Sequence, residues 1–310
     1  MYIPVDLDAA VKAGIISEAD SASALTYIPV NLLEDQFTAN DHGASLSKVL
    51  SLDMLATSAK NGWNRPVYFA MTVPDDYYLG LSPFMRNTGL AYQVVPMRNQ
   101  YDDETSVDAE KMYKNVTENF RWGGLPEAAA ADKNLYLDET VRKMVTTHRS
   151  ALLDLAVELY NQGIEAKYKD GTDEINPEGV GIANDKFKKA TEILEIINEK
   201  LPVRYAPLGI QIGEQIGNLY ISLGKETNDK ALTEAGLALL HDEITRYAEI
   251  ARYVQYQGRN GNAALLSRID RYAPTYLIRL IQTYYIGGGN LEELEKELMI
   301  SGVDINQLGA

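Results

Sequence analysis

The chain has 310 residues, of which 45% are hydrophobic and 24% charged, and it carries a formal net charge of -15 with no cysteine. This composition specifies a folded protein long enough for two domains, each able to bury its own core. The acidic balance argues against nucleic acid and against polybasic docking on a membrane, and the missing cysteines exclude disulfides, thiolate metal sites and a cysteine nucleophile.

No apolar run approaches the roughly 20 residues that span a bilayer, and the N-terminus lacks the basic-then-apolar pattern of a signal peptide. Direct membrane contact by this segment is therefore not expected. The abrupt strand-like start at Met1-Tyr2-Ile3-Pro4-Val5 is compatible with a piece of a longer polypeptide.

Tyr2-Ile3-Pro4-Val5 and Tyr27-Ile28-Pro29-Val30 are similar short runs, each with a proline suited to an edge or terminal strand position. Between them Asp6 and Ser17 are N-cap residues for two short helices, separated by Gly14. Residues 34–43 are polar and read as a loop, followed by a helix from Ser45 to about Lys60. On that helix Leu46, Val49, Leu50 and Asp53 share a seam, and Leu52, Met54, Leu55 and Ala56 widen its apolar face.

Asn61-Gly62 stops this helix, and Val67–Met71 follows as a β-favouring run read as a central strand. After the turn at Pro74-Asp75-Asp76, Ser82-Pro83 opens a short helix to about Asn87, which Gly89 closes. Leu90–Pro96 is a second strand of the same type. The order helix, strand, helix, strand predicts a parallel pair with a right-handed crossover. An acidic loop at 101–108, a helix over about 107–119 and a turn at Trp122-Gly123-Gly124 complete this half.

Beyond residue 135 the pattern is helical throughout, with helices expected at about 138–162, 181–200, 206–223, 229–257, 262–285 and 290–299. Asn290 and Glu293 form an asparagine version of the capping box for the last, and Pro274 should bend or split the fifth. Tyr160, Gly163, Phe187, Ala190 and Pro202 fall in an order like that of a tetratricopeptide hairpin, and the helix ends at Leu159–Gly163, Leu219–Gly224 and Tyr284–Gly287 form a weak repeat of roughly 60 residues. The fold class expected is α+β overall and mainly α. A small α/β domain with a short, partly parallel sheet occupies 1–130, and a tetratricopeptide-like helical solenoid occupies 131–310.

Few residues carry a chemical signal. Asp53 is expected to pair with Arg65 across the helix-to-strand corner, with Trp63 and Trp122 as further structural anchors. Asp75 and Asp76 follow a strand end, where α/β folds place ligands, although a solvated turn is the better explanation of them. His148 fits a helical stripe as a core residue, and His42 and His241 have no companion at metal-ligand spacing, so no metal is expected. The loop from Asp170 to Glu178 offers oxygen atoms without the order of a calcium-binding EF-hand.

Gly209, Gly213 and Gly217 recur every four residues, which predicts a close helix crossing. Among 20 tyrosines, Tyr247, Tyr253, Tyr256, Tyr272 and Tyr276 cluster with Arg246, Arg252, Arg259, Arg268 and Arg271, a mixture that suits a protein or glycan contact surface or half-buried helix packing. Tyr247, Arg252, Tyr253, Tyr256, Asp75 and Asp76 are the binding candidates. The phosphate-loop, dinucleotide-binding and nucleophile-elbow motifs are absent, and no cofactor is expected.

Six stretches together carry a family resemblance: Leu52–Ala56, Trp63–Ala70, Tyr78–Leu81, Gly89–Pro96, Phe120–Gly124 and Tyr136–Glu139. They resemble the C-terminal region of a Bacteroidota multi-spanning membrane-protein family related to protein O-mannosyltransferase-like glycosyltransferases. The resemblance covers about residues 1–160 and implies an extracytoplasmic location, on the periplasmic side of the inner membrane, with a tether to a membrane-spanning N-terminal portion. Sugar transfer would then reside in that portion and not in this chain. The function implied is a non-catalytic interaction or scaffold module with a protein or glycan partner. The alternatives are a carbohydrate-active hydrolase using carboxylates such as Asp53, Asp75 and Asp76, or a free-standing periplasmic adaptor.

Overall fold

The structure is a computed structural model that describes residues 1–31, 45–99, 105–169, 172–259, 273–300, 302 and 303. The predicted loop at 34–43, His42, and Tyr272, Arg268 and Arg271 of the aromatic cluster lie outside the described residues. The chain divides into two compact units, Met1–Arg121 and Trp122–Ala310. The architecture is α+β and mainly helical, with an α/β part first and a helical part after it.

In the first unit, β1 (Tyr2–Pro4) pairs antiparallel with β2 (Tyr27–Pro29), with Ile3 opposite Ile28. Helix α1 (Leu7–Lys12) starts where expected, because the Asp6 carboxylate accepts from the Ala9 amide at 3.0 Å. Ser17 instead caps a short 3₁₀ turn, its Oγ accepting from the Asp20 amide at 3.1 Å. Helix α2 (Leu46–Lys60) is capped by Ser45 and ends in two successive left-handed residues, Gly62 (φ +68) and Trp63 (φ +59). A tryptophan at positive φ is sterically costly. The amide of Trp63 nevertheless closes on the Ser58 carbonyl at 2.9 Å, and its indole is fully buried in the core.

The larger sheet corrects two expectations. Its strand order is β3 (Tyr68–Ala70), β5 (Ala91–Val94), β4 (Met85–Asn87), β6 (Ser106–Val107), so the first strand after the helix stop is an edge strand and not a central one. Strands β3 and β5 run antiparallel, with Phe69 opposite Tyr92. The cause is local: the segment expected to be a crossover helix gives only a 3₁₀ turn at Ser82–Phe84 and then becomes β4, an antiparallel partner of β5. The expected helix, residues 82–87, amounts to less than two turns and is too short to cover a sheet face, whereas a hairpin needs only a turn. Here Asn87 Oδ1 accepts from the Gly89 amide at 2.9 Å. The parallel element is β4 with β6. Beyond it, α3 (Ala109–Lys114) runs into a wide turn at Asn115–Asn119.

The second unit contains α4 (Leu125–Ala130), α5 (Glu139–Lys167), α6 (Val180–Lys200), α7 (Ile210–Thr227), α8 (Lys230–Arg259), α9 (Ala273–Gly287) and α10 (Leu291–Ile300). Helix α5 pairs with α6, α7 with α8, and α8 with α9. The tetratricopeptide-order residues meet at the first of these crossings: a Cβ on Gly163 would lie 2.4 Å from Phe187 Cε1, and Tyr160 stacks on Phe187 at 5.7 Å. Helix α9 begins at Ala273, so Pro274 stands in its first turn, where a missing N–H is harmless. Asn290 accepts from the Glu293 amide at 3.3 Å and donates to its carboxylate at 3.2 Å, a side-chain variant of the predicted box.

The glycine series behaves unevenly. Gly209 caps α7 with nothing near its missing side chain, whereas a Cβ on Gly217 would lie 2.6 Å from Leu240 Cγ. Across the same crossing, a Cβ on Gly236 would meet the Gly217 carbonyl at 2.6 Å. The close approach is thus a Gly217–Gly236 contact between α7 and α8.

Candidate functional site

The aromatic and arginine cluster of α8 separates into two faces. Successive positions on one stripe, Glu249, Arg252, Tyr253 and Tyr256, line an open groove of about 500 Å³. Their spacing of three, four and seven residues stacks them on one side of the helix. Tyr253 and Tyr256 are exposed, the latter at 63%. Glu249 was not among the candidates. Its place one helical turn before Arg252 and Tyr253 is the signal that identifies it.

Tyr247, proposed with them, belongs to the other face. It is 5% exposed, packs edge-to-face with Tyr276 at 6.3 Å and lies 4.6 Å beneath the Arg246 guanidinium. It is a core residue of the second unit, not a contact residue.

Behind that face lies a set of buried charges that periodicity did not reveal. Arg149 of α5 is 1% exposed and donates to the carbonyls of Ala206 at 2.5 Å and Leu201 at 2.6 Å. Burial lowers its pKa to about 10, against the pull of Glu243, and it stays cationic at neutral pH. Arg246 donates to the Leu208 carbonyl at 2.6 Å and pairs with the buried Glu243. Glu214 of α7 receives Arg279 Nε at 2.9 Å and the Thr283 hydroxyl at 3.1 Å. These groups clamp the α6–α7 connection and the α7–α9 contact.

His148, expected in the core, is half-buried and bonds through Nδ1 to the Met144 carbonyl at 2.7 Å; the buried cation is its neighbour Arg149. The stripe is correspondingly rotated, since Val141 and Met144 are exposed. His241 meets Glu297 at 2.6 Å. Among the described residues no group of three or more His, Asp or Glu could hold a metal ion.

In the first unit, Asp53 is exposed and the expected pair with Arg65 does not form among the described residues. Arg65 is also exposed, and its contribution to the corner is backbone: its carbonyl accepts the Ser58 hydroxyl at 2.5 Å. Asp53 faces a second groove, of about 530 Å³, bounded by Met1–Pro4 on β1 and by Val49, Leu52 and Ala56 on α2. Trp63 is fully buried, although its indole N–H has no hydrogen-bond partner among the described residues. Trp122 is half-buried at the start of the second unit.

Asp75 and Asp76 lie exposed on a 3₁₀ turn. Asp75 helps push the hydroxyl of Tyr78 up to about 12, after burial and Tyr92. A glycosidase needs two carboxyl groups facing each other across a substrate, about 5–9.5 Å apart. Each of the two grooves has a single carboxylate among its described lining residues, Glu249 in one and Asp53 in the other.

The match to a known family covers a shorter part of the chain than the 1–160 of the resemblance, ending before Phe120–Gly124 and Tyr136–Glu139. No curated protein and no solved structure matches the chain. Among the described residues no helix is long and apolar enough to cross a membrane. Residues 1–111 match the family described as TMEM260-associated domain 2.

Proposed function

We propose that this chain is a non-catalytic interaction module of a membrane protein, tethered on the extracytoplasmic, periplasmic side to a membrane-spanning N-terminal portion of the protein O-mannosyltransferase-like glycosyltransferase type. The observation that carries the reading is the match of residues 1–111 to a domain described by its association with a transmembrane protein. The two open grooves support it from the chemical side, since each offers contact surface and neither pairs carboxylates among its described lining residues. On this reading the Arg252, Tyr253 and Tyr256 stripe takes a protein or a glycan, using ring faces for apolar contact and the guanidinium for hydrogen bonds.

The test is immunoblotting of fractionated native cells with an antibody raised against this chain. A membrane-embedded polypeptide much larger than 34.4 kDa is the expected result. A soluble species near that mass overturns the proposal. Glycan-array binding that disappears in Tyr253→Ala and Tyr256→Ala variants would assign the groove.

A further inference from the structure

Helix α2 carries apolar residues on opposite sides, among seven polar or charged ones, and the core can use only one side of it. Leu55 and Ala59 are buried and Leu52 packs against the same core, while Leu46, Leu50 and Met54 stand 74%, 53% and 64% exposed on the opposite side. A helix of this kind is ordinarily covered on both sides. Next to the uncovered side runs the β1–α2 groove, whose lining is apolar apart from Asp53 and Lys60.

We infer that the β1–α2 groove of the first unit docks an amphipathic helix of a protein partner, with one lysine or arginine set inside the partner's apolar stripe to meet Asp53. The inference rests on the interaction-module reading and names a partner class for it. Val49, Leu52, Asp53, Ala56 and Lys60 recur at helical spacing along the groove, so they present the ridge that a partner helix with the same spacing interdigitates with. Strand addition at β1 is disfavoured, because Pro4 has no N–H to give.

Charge then selects the partner's chemistry. Asp53 has no ion pair among the described residues, and an entirely apolar cover would strand its carboxylate in a dry interface. A cover must therefore bring a cation to Asp53, whereas Lys60, at the exposed end of α2, keeps its ammonium in water along its stem. A second copy fits poorly: a two-fold pairing that joins Asp53 to Lys60 is centred between Ala56 and Thr57, and it carries Leu46, Val49 and Leu50 past the end of the opposing α2. Centring the pairing on the midpoint of α2 brings Asp53 against itself. The net charge of -15 opposes both self-association and an anionic lipid surface.

The test uses the full chain and labelled synthetic helical peptides of about 18 residues. Each has a leucine stripe at three-to-four spacing, with a single lysine placed at each stripe position in turn; a matched set carries glutamate instead. Fluorescence polarisation should show one lysine peptide binding at least about tenfold tighter than its glutamate counterpart. Asp53→Lys should reverse that preference, and Val49→Glu, within the groove, should abolish both interactions. Val49, Leu50 and Asp53 are exposed, so variants at these positions should keep the wild-type circular dichroism and melting temperature. Equal affinity for the two sets, unchanged by Asp53→Lys, overturns the inference. So does a wild-type dimer in sedimentation that Leu50→Glu dissociates, or binding to phosphatidylglycerol vesicles that Leu50→Glu removes. The immunoblot outcome is independent of these readings, so failure of the membrane-tail proposal and failure of the docking inference can be told apart.

Discussion

The two units of this chain solve the same problem, the satisfaction of irregular backbone, with different side chains. In the first unit, built from short strands and turns, neutral amides do it: Asn99 donates to the carbonyls of Ser82 at 3.2 Å and Met85 at 3.1 Å, and Asn115 donates to Thr88 at 2.7 Å. In the second, built from long helices, the α6–α7 connection is held by cations, Arg149 on Leu201 and Ala206, and Arg246 on Leu208. Short elements leave many polar groups close to nearby loops, within reach of an asparagine. Long helices leave few, and those must be reached across a helix diameter, which an arginine can span and an asparagine cannot.

The comparison breaks hardest at the two centres. Trp63→Ala should cost the first unit about 3–5 kcal/mol, since a fully buried indole is replaced by a cavity. Arg149→Met should cost the second a similar amount, about 3–5 kcal/mol, because buried carbonyls lose their charged donor. Hydrogen exchange separates the two: Trp63→Ala should lower protection within 1–121, and Arg149→Met within 122–310. The opposite distribution would refute the assignment of each residue to its own core.

A smaller effect sharpens the helical half. Gly217→Ala should destabilise by about 1–3 kcal/mol in urea titration, because the new methyl group meets Leu240 and α7 and α8 must separate. Gly209→Ala, with open space at its Cβ, should cost less than about 1 kcal/mol, the usual scale of a cap change. Equal losses at the two positions would mean that helix propensity and not close packing governs the series.

The smallest effect is a pH dependence. Burial raises the pKa of Glu243, against the opposing pull of Arg246 and Arg149. A raised folded-state value means that the folded chain holds this proton more tightly than the unfolded chain, so its contribution to stability falls as pH rises from the unfolded value near 4.5 through the folded one. Melting temperature across that window should therefore decline in the wild type relative to Glu243→Gln. A relative increase would show that the ion pair with Arg246 outweighs the burial.

Much of the fold was legible because it is encoded locally. Asp6, Ser45 and Asn290 each accept from the backbone amide three residues on, and the Asn61-Gly62 stop falls where it was expected. The α8 groove was partly legible: Arg252, Tyr253 and Tyr256 share it, while Tyr247 belongs to the core although it lies in the same cluster of sequence. Composition does not carry the phase of a helix, and only the packing against α9 distinguishes the faces.

By itself, then, the sequence determined where helices begin and end, and that an α/β part precedes a helical one, since caps, turns and the 3.6-residue period act within a few residues. Tertiary structure decided what depends on distant neighbours. It made β4 a strand, which turned the expected parallel pair antiparallel and left Tyr68–Ala70 at the sheet edge. It chose which side of α2, with apolar residues on opposite sides, faces the core, and it placed Arg149, 52 residues before the Leu201 carbonyl that it holds, inside the helical unit. Each of these depends on contacts far apart in the chain, and a local pattern cannot specify them.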